Sequence, residues 1–382
     1  MKQIGIITHY YGSENYGGVL QSYALCQFLR NQGFDAEQIQ YDKNKDVSIK
    51  RRIGKFYRYA LSIPRRIKQK GIYREIKARE AEFALFRDKQ ICHSKEVFAQ
   101  NSLHKLAKQY QLYITGSDQV WHPNAVCDAY LLDFGVDGVK KMSYAASVAK
   151  DTLSVEELKR YKRAFADFIA ISVREKSAIE LLQPIAPVEI QWVVDPVFLL
   201  RREEWNPLIG NKCDSERYAL CYFLGNGTKE RELAREYAKR KNLELKVMPF
   251  LNGEVNSDDF GYAEKMIINA SPKEFVRLIH NAEIVFTDSF HATAFSLLFE
   301  KQFYVFERSF QSSMGSRIES LTDLFGVQEH YCNTLNKMTS EYIDNAASID
   351  YSKSFIAFEK MREKSVEYLL RNIGKILEEG KE

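Results

Sequence analysis

The chain has 382 residues, is 45% hydrophobic and 28% charged, and carries a formal net charge of +4. That length exceeds one ordinary core and suits two domains of under about 200 residues each. The composition excludes a disordered chain, and no run of about 18 apolar residues is present to cross a bilayer.

The first elements are strand, helix, strand. Ile4, Ile6 and Ile7 read as a buried strand, Val19 to Leu29 has helical spacing that Gly33 ends, and Phe34 to Tyr41 is the next strand. A βαβ opening of this kind implies a parallel sheet. Residues 43–100 break the pattern and read as a basic, aromatic, helical insertion. Strands then recur at QLYITGSD (111–118), KMSYAAS (141–147), FIAISVRE (168–175) and QWVVDPVFLL (191–200). The polar stretch 201–216 has no periodicity and marks a boundary.

A second alternating series follows. Its strands are ALCYFLG (219–225), LELKVMPF (243–250), EIVFTDSF (283–290) and QFYVFE (302–307). Ser271 and Pro272 open a helix between the second and third of these. The predicted architecture is α/β, with two doubly wound Rossmann-like domains facing a cleft. They span 1–200 and 201–350, and 351–382 forms an amphipathic C-terminal helix. Ligands of such sheets sit beyond the C-terminal strand ends, so the cleft is the expected site.

The opening MKQIGIITHYYG lacks the long apolar core and cleavage site of a signal peptide, so the reading expects a cytoplasmic protein. The six cysteines stand singly and read as free thiols. No zinc spacing, H-E-x-x-H, EF-hand or Walker loop occurs, so no metal site is expected.

Charge is unevenly placed. Residues 50–80 hold twelve Lys or Arg and two acids, a net +10, which leaves the rest of the chain at −6. The block implies a local anionic partner. Its interleaved aromatic and aliphatic residues suit a membrane surface, and a solvated helical arm is the competing reading. No nucleic-acid recognition motif accompanies it.

Several turns at strand C-termini carry candidate chemistry. Asn15, Tyr16, Gly17 and Gly18 open a helix and either face a ligand or relax a turn. Asp118 either accepts from a sugar hydroxyl or caps a helix, and Trp121 either stacks on a sugar or lies in the core. Arg174 either clamps a carboxylate or phosphate or pairs with Glu175 or Glu180. His291 is either an acid–base group or a packed histidine. Arg308 and Arg317 flank SSMGS, which reads as an anion pocket or as a solvated loop.

The ordered set NYGGVLQSYAL (15–25), GSDQVW (116–121), SYAAS (143–147), SVRE (172–175), VVDP (193–196), TDSFHA (287–292) and SMGSRIESLTDLFG (313–326) resembles the polysaccharide pyruvyl transferase family. The resemblance implies a fold similar to the glycosyltransferase-B type. It implies phosphoenolpyruvate as co-substrate, no further cofactor, and a pyruvate ketal across two hydroxyls of one sugar. It also implies that Arg174 holds the donor and that His291 acts in acid–base catalysis. Many members read Arg-Leu-His where this chain has Ser289-Phe290-His291, so Arg317, Arg308 or Lys301 must replace that charge, or the donor differs. The resulting assignment gives the donor Arg174, Arg317, Ser289, Ser312 and Ser313. It gives the acceptor Asn15, Tyr16, Gly17, Gly18, Asp118 and Trp121. On this reading the first domain is the acceptor side and the second the donor side. The acceptor would be a glycan, carried on a polyprenyl diphosphate at the inner membrane face. A nucleotide-sugar glycosyltransferase of the same fold is the alternative, and a membrane-surface adaptor a third reading.

Overall fold

A computed structural model describes residues 2–45, 70–210, 216–251, 265–308 and 315–379, with 255, 259 and 262 between them. Strands β1 (Lys2–Ile7), β2 (Ala36–Tyr41), β3 (His93–Phe98), β4 (Tyr110–Thr115), β5 (Lys141–Ser143), β6 (Phe168–Val173) and β7 (Ile190–Trp192) form one sheet. Its order is β3-β2-β1-β4-β5-β6-β7, and every pairing is parallel. A second parallel sheet holds β8 (Tyr218–Phe223), β9 (Glu244–Pro249), β10 (Lys265–Met266), β11 (Ile284–Thr287), β12 (Gln302–Phe306) and β13 (Tyr331–Cys332). Its order is β10-β9-β8-β11-β12-β13. Parallel sheets are covered on both faces, and the central strands are apolar throughout for that reason. All of β8, YALCYF, is buried.

The helices begin where the sequence supplies caps. α1 (Tyr16–Asn31) is capped by Asn15, whose side chain accepts from the Gly18 N–H. The helix Lys70–Gln90 is α2. In α3 (Val155–Phe165), Ser154 and Glu157 form a capping box. The charged helix α4 (Thr228–Arg240) follows β8. Ser271 caps α5 (Pro272–Asn281), with Pro272 in the first turn. Ser289 caps α6 (Phe290–Leu298), which is buried along its whole length. α7 is Gly315–Phe325, and α8 is Tyr351–Glu379.

α8 follows the second sheet in sequence but packs on the first. Ser365 Oγ accepts from Val194 N at 3.0 Å, and Tyr368 donates to the Ser143 carbonyl at 3.0 Å. Arg362 donates to the carbonyls of Phe198 and Leu199 at 2.9 and 2.8 Å. The two halves are thereby tied at the back of the cleft.

Two sequence expectations change. The segment 43–100 is not wholly an inserted arm, because His93–Phe98 forms the edge strand β3. HSKEVF is too polar to announce itself, and only Ser94 and Phe98 of it are buried. In QWVVDPVFLL only Ile190–Trp192 is strand; Asp195 then caps a 3-10 turn, Pro196–Phe198.

Most of the basic block, residues 50–69 of 50–80, lies outside the described residues. Within α2, Lys70, Arg74 and Lys77 are exposed. Arg79 is instead buried, donating to the Tyr16 hydroxyl at 3.1 Å and the Glu14 carbonyl at 2.9 Å. Among the described residues no helix is long and apolar enough to cross a membrane.

Candidate active site

Each sheet reverses its strand order once, between β1 and β4 in the first and between β8 and β11 in the second. Loops leaving the C-terminal ends at such a reversal diverge and leave a crevice. Here the two crevices open into one cleft of about 620 Å³. All four flanking loops reach it, through Asn15 after β1, Asp118 and Gln119 after β4, Leu224 after β8, and Ser289 and His291 after β11. His122, Lys150, Phe250, Arg308 and Arg317 also line it.

The first sheet supplies a buried carboxylate wall. Asp118 holds a left-handed backbone, φ +64°, uncommon for a residue with a side chain. Burial pushes its carboxyl upward, but His291, Arg174, His9 and Arg317 outweigh burial and hold it below the usual range. Asp195 lies deeper and is fully enclosed. Its Oδ2 accepts from Arg174 Nη1 at 2.7 Å, and its Oδ1 accepts from Val197 N at 3.1 Å. Burial opposes ionisation here too, yet His291 and Arg174 keep Asp195 well below the usual carboxylate range.

Arg174 sits between these two acids, 3.6 Å from Asp118 Oδ1, with its guanidinium 4.2 Å from the Phe290 ring centre. Burial disfavours its charge, but Asp195, Asp118 and Glu175 more than restore it. Glu175 is otherwise occupied, accepting from the N–H groups of Val148 and Ala149 at 2.8 and 2.9 Å.

The second sheet supplies His291 and the cations. His291 lies in the first turn of α6, and its Nε2 stands 3.6 Å from Asp195 Oδ2. The opposite edge of the ring lies against Gly17. A Cβ at position 17 would fall 2.6 Å from His291 Cε1 and closer still to Nδ1 and Cγ. Arg308 braces the loop after β11: its Nη2 donates to the Asp288 carbonyl at 3.1 Å, and its Nε lies 3.3 Å from Asp288 Oδ2. Asp288 in turn accepts from the N–H groups of Leu224 and Gly225, both at 2.7 Å.

Among the described residues Arg317 forms no ion pair, whereas Arg308 pairs with Asp288 and Lys150 with Glu157. Arg317 is 5% exposed, and its Nε has no partner. With the Gln119 amide oxygen turned toward it, that oxygen accepts from Nη1 at 2.8 Å and Nη2 at 3.2 Å. Burial first, and the like charge of Arg174 second, lower its pKa to about 9. A buried guanidinium facing a neutral amide is a preformed receptor for an anion.

The family model for polysaccharide pyruvyl transferases matches residues 15–309, which include the elements that build this cleft up to Arg308. The chain belongs to the polysaccharide pyruvyl transferase family. No curated protein matches it in sequence. Among solved structures it is similar to UDP-GlcNAc 2-epimerase from Neisseria meningitidis bound to UDP-GlcNAc, at 10% identity and TM-score 0.54, covering 97% of this chain and 100% of that one. A putative UDP-N-acetylglucosamine 2-epimerase from Listeria monocytogenes gives 11% identity and TM-score 0.52 over 94% of each chain. Phytolacca americana UGT2, complexed with UDP-2fluoro-glucose and pterostilbene, gives 10% identity and TM-score 0.51 over 98% of this chain and 99% of that one. These likenesses establish the glycosyltransferase-B fold.

In this member of the family the expected site residues separate into groups. Asn15, Asp118, Ser289, His291 and Arg317 meet at the cleft. Gly17 and Gly18 pack rather than bind: Gly17 makes room for His291, and Gly18 gives its N–H to Asn15 Oδ1. Tyr16 is core, stacked on Phe275 at 4.4 Å and donating to the Ala270 carbonyl at 2.8 Å. Trp121 is core as well, fully buried against Phe165 at 4.8 Å with Nε1 donating to the Tyr130 carbonyl. Arg174 does not line the large cleft; it lies behind His291, paired with Asp195 rather than with Glu175 or Glu180. Lys301 precedes β12 and so stands at the far end of the sheet. Ser312 and Ser313 lie outside the described residues.

Sequence reasoning passed over Asp195, Gln119, Lys150 and Phe250 as site residues. Lys150 and Phe250 follow β5 and β9, so the strand-end rule, applied to every strand, finds both.

Proposed function

We propose that this enzyme transfers pyruvyl from phosphoenolpyruvate to a sugar of a surface glycan or its lipid-linked precursor. The observation that carries this reading is Arg317, a buried cation that forms no ion pair among the described residues and faces the same cleft as His291. A small donor with a carboxylate and a phosphate matches a pocket that adds Arg308 and Lys150 to Arg317. Arg317 stands in for the charge lost at Ser289, which caps α6 instead.

One sugar hydroxyl adds to C2 of the donor while a proton reaches the methylene carbon C3. The C2–O bond to phosphate then breaks, and phosphate leaves with the electron pair. The second hydroxyl closes on C2, giving the cyclic ketal. His291 takes the proton of the first hydroxyl and passes it to C3, and the proton of the second hydroxyl leaves with the phosphate. Asn15 and Asp118 are within the cleft to orient the sugar. Arg174 acts from behind, as counter-ion to Asp195 and Asp118.

We further assign the basic segment 50–80 to an anionic membrane surface on the cytoplasmic side, where a polyprenyl-diphosphate-linked acceptor would be presented. Each basic residue near such a surface contributes roughly 1 kcal/mol before salt screening. Lys70, Arg74 and Lys77 are available for this, whereas Arg79 is committed to Tyr16 and Glu14.

The test combines purified protein, phosphoenolpyruvate and lipid-linked glycan precursors. The expected result is a mass gain of one pyruvic acid less one water, with release of inorganic phosphate. Thermal stabilisation by UDP or GDP and not by phosphoenolpyruvate, with no such mass gain, would favour a nucleotide-sugar glycosyltransferase instead.

A further inference from the structure

The His291 ring has one nitrogen it cannot offer to a substrate. Nε2 is buried and makes no hydrogen bond, and Asp195 Oδ2 stands 3.6 Å away, just beyond bonding range. A shift of a few tenths of an ångström closes that gap, and such contacts commonly tighten when a ligand binds. Asp195 is built to receive this nitrogen. Arg174 Nη1 and Val197 N already hold its two oxygens at 2.7 and 3.1 Å. The Ser117 hydroxyl lies 3.2 Å from Oδ2, but it is closer, 2.8 Å, to the Ala145 carbonyl and has one proton to give. Oδ2 therefore keeps a free lone pair on the side of His291.

An ionised carboxylate only accepts hydrogen bonds. A bare Nε2 facing it would set two lone pairs against each other in a buried place, so the proton of the neutral ring belongs on Nε2. Gly17 fixes the other edge, because it leaves a slot for Nδ1 that any side chain would fill. The ring thus lies between a carboxylate and a helix backbone, with Phe290 edge-on at 5.2 Å.

We propose that Asp195 is a positioning residue for the transfer reaction: it holds the proton on His291 Nε2, so that Nδ1, at the Gly17 edge of the ring, is left bare as the base for the sugar hydroxyl. This rests on the pyruvyl transfer reading above. When Nδ1 takes the hydroxyl proton, the imidazolium charge forms beside Asp195, which remains ionised. Arg174 keeps Asp195 from relaxing away, and the interaction crosses from the first half of the chain to the second.

Two measurements test this. The first needs neither substrate nor variant protein of altered charge. Full-length protein labelled with ¹⁵N-histidine is read for the tautomer of His291, with the resonances assigned by their loss in His291→Ala. An Nε2–H tautomer supports the proposal, and an Nδ1–H tautomer overturns it, whatever reaction the enzyme performs. The second is kinetic and uses Asp195→Asn, whose side chain has the same shape. Turnover should fall about 100-fold or more while the apparent Michaelis constant for phosphoenolpyruvate changes less than about threefold. In the His291→Ala background the same substitution should cost less than about threefold, because a positioning residue has nothing left to position. An equal loss in both backgrounds would make Asp195 a structural residue independent of His291 and overturn the assignment. Absence of pyruvyl transfer by the wild type would instead remove the functional reading and leave the tautomer result standing.

Discussion

Gly17→Ala isolates the placement of His291 from its chemistry. The added methyl group would meet Cε1 at 2.6 Å and two other ring atoms more closely, whereas ordinary contact begins at 3.4 Å. The ring must therefore retreat by roughly an ångström, toward Asp195 and Phe290, which already bound its other sides. Misplacing a reacting group by about 1 Å costs on the order of 100-fold in rate. The helix itself does not suffer, since Ala favours helix over Gly by up to ~1 kcal/mol. The expected outcome is a folded protein with an unchanged far-ultraviolet spectrum and pyruvyl transfer reduced about 100-fold. Phosphate release from phosphoenolpyruvate, followed with acceptor present, is the assay. Wild-type turnover in Gly17→Ala would refute the reasoning, because it would mean that His291 need not occupy this slot to act.

Arg317→Met should raise stability by about 1–3 kcal/mol, because it removes a buried, under-compensated charge. It should also raise the apparent Michaelis constant for phosphoenolpyruvate at least about tenfold; chemical denaturation and steady-state kinetics read the two effects. Stability should fall on acidification in two stages. Burial lowers the pKa of His9 and His330 below the ordinary 6.5, so the unfolded chain binds protons that the folded chain refuses as pH drops through that value. Asp118 and Asp195 are depressed as carboxylates, so their contribution is full above the unfolded value near ~3.9 and is lost as pH falls from there toward the folded values. Urea midpoints at several pH values check both stages. Gly374→Ala, at a helical position of α8 with open space for a methyl group, should stabilise by about 1 kcal/mol, seen as a higher urea midpoint.

What the sequence disclosed depended on whether the signal was local. Strand–turn–helix periodicity gave both sheets, and the rule that ligands meet strand C-termini brought out Asn15, Asp118, His291 and Arg317. Trp121 and Tyr16 sit in such turns too, but the rings that bury them, Phe165 and Phe275, lie 44 and 259 residues away in the chain. Nothing within a turn separates a ring packed inward from one offered to a sugar. β3 failed for a different reason: an edge strand with few buried positions has no apolar run to display. Asp195 was visible only as the end of a strand, because its meaning lies in a contact with a residue nearly a hundred positions later.

That separation bears on how the enzyme is held together. Gly17, Asp118, Arg174 and Asp195 belong to the first sheet and its loops, whereas His291, Arg308 and Arg317 belong to the second. On the proposed mechanism neither half contains a complete acid–base site, so docking of the halves becomes a condition of catalysis as well as of stability. The contacts that fix the docking are correspondingly substantial. Tyr16 reaches across to the Ala270 carbonyl and Phe275, and α8 returns from the second half to bind the backbone at Ser143, Val194, Phe198 and Leu199. Three of those four positions, 194, 198 and 199, lie within four residues of Asp195 in the chain. The helix that closes the fold therefore also holds the segment that carries the carboxylate behind His291. A change in α8 that loosened this segment would be felt first as lost turnover, before the fold itself gave way.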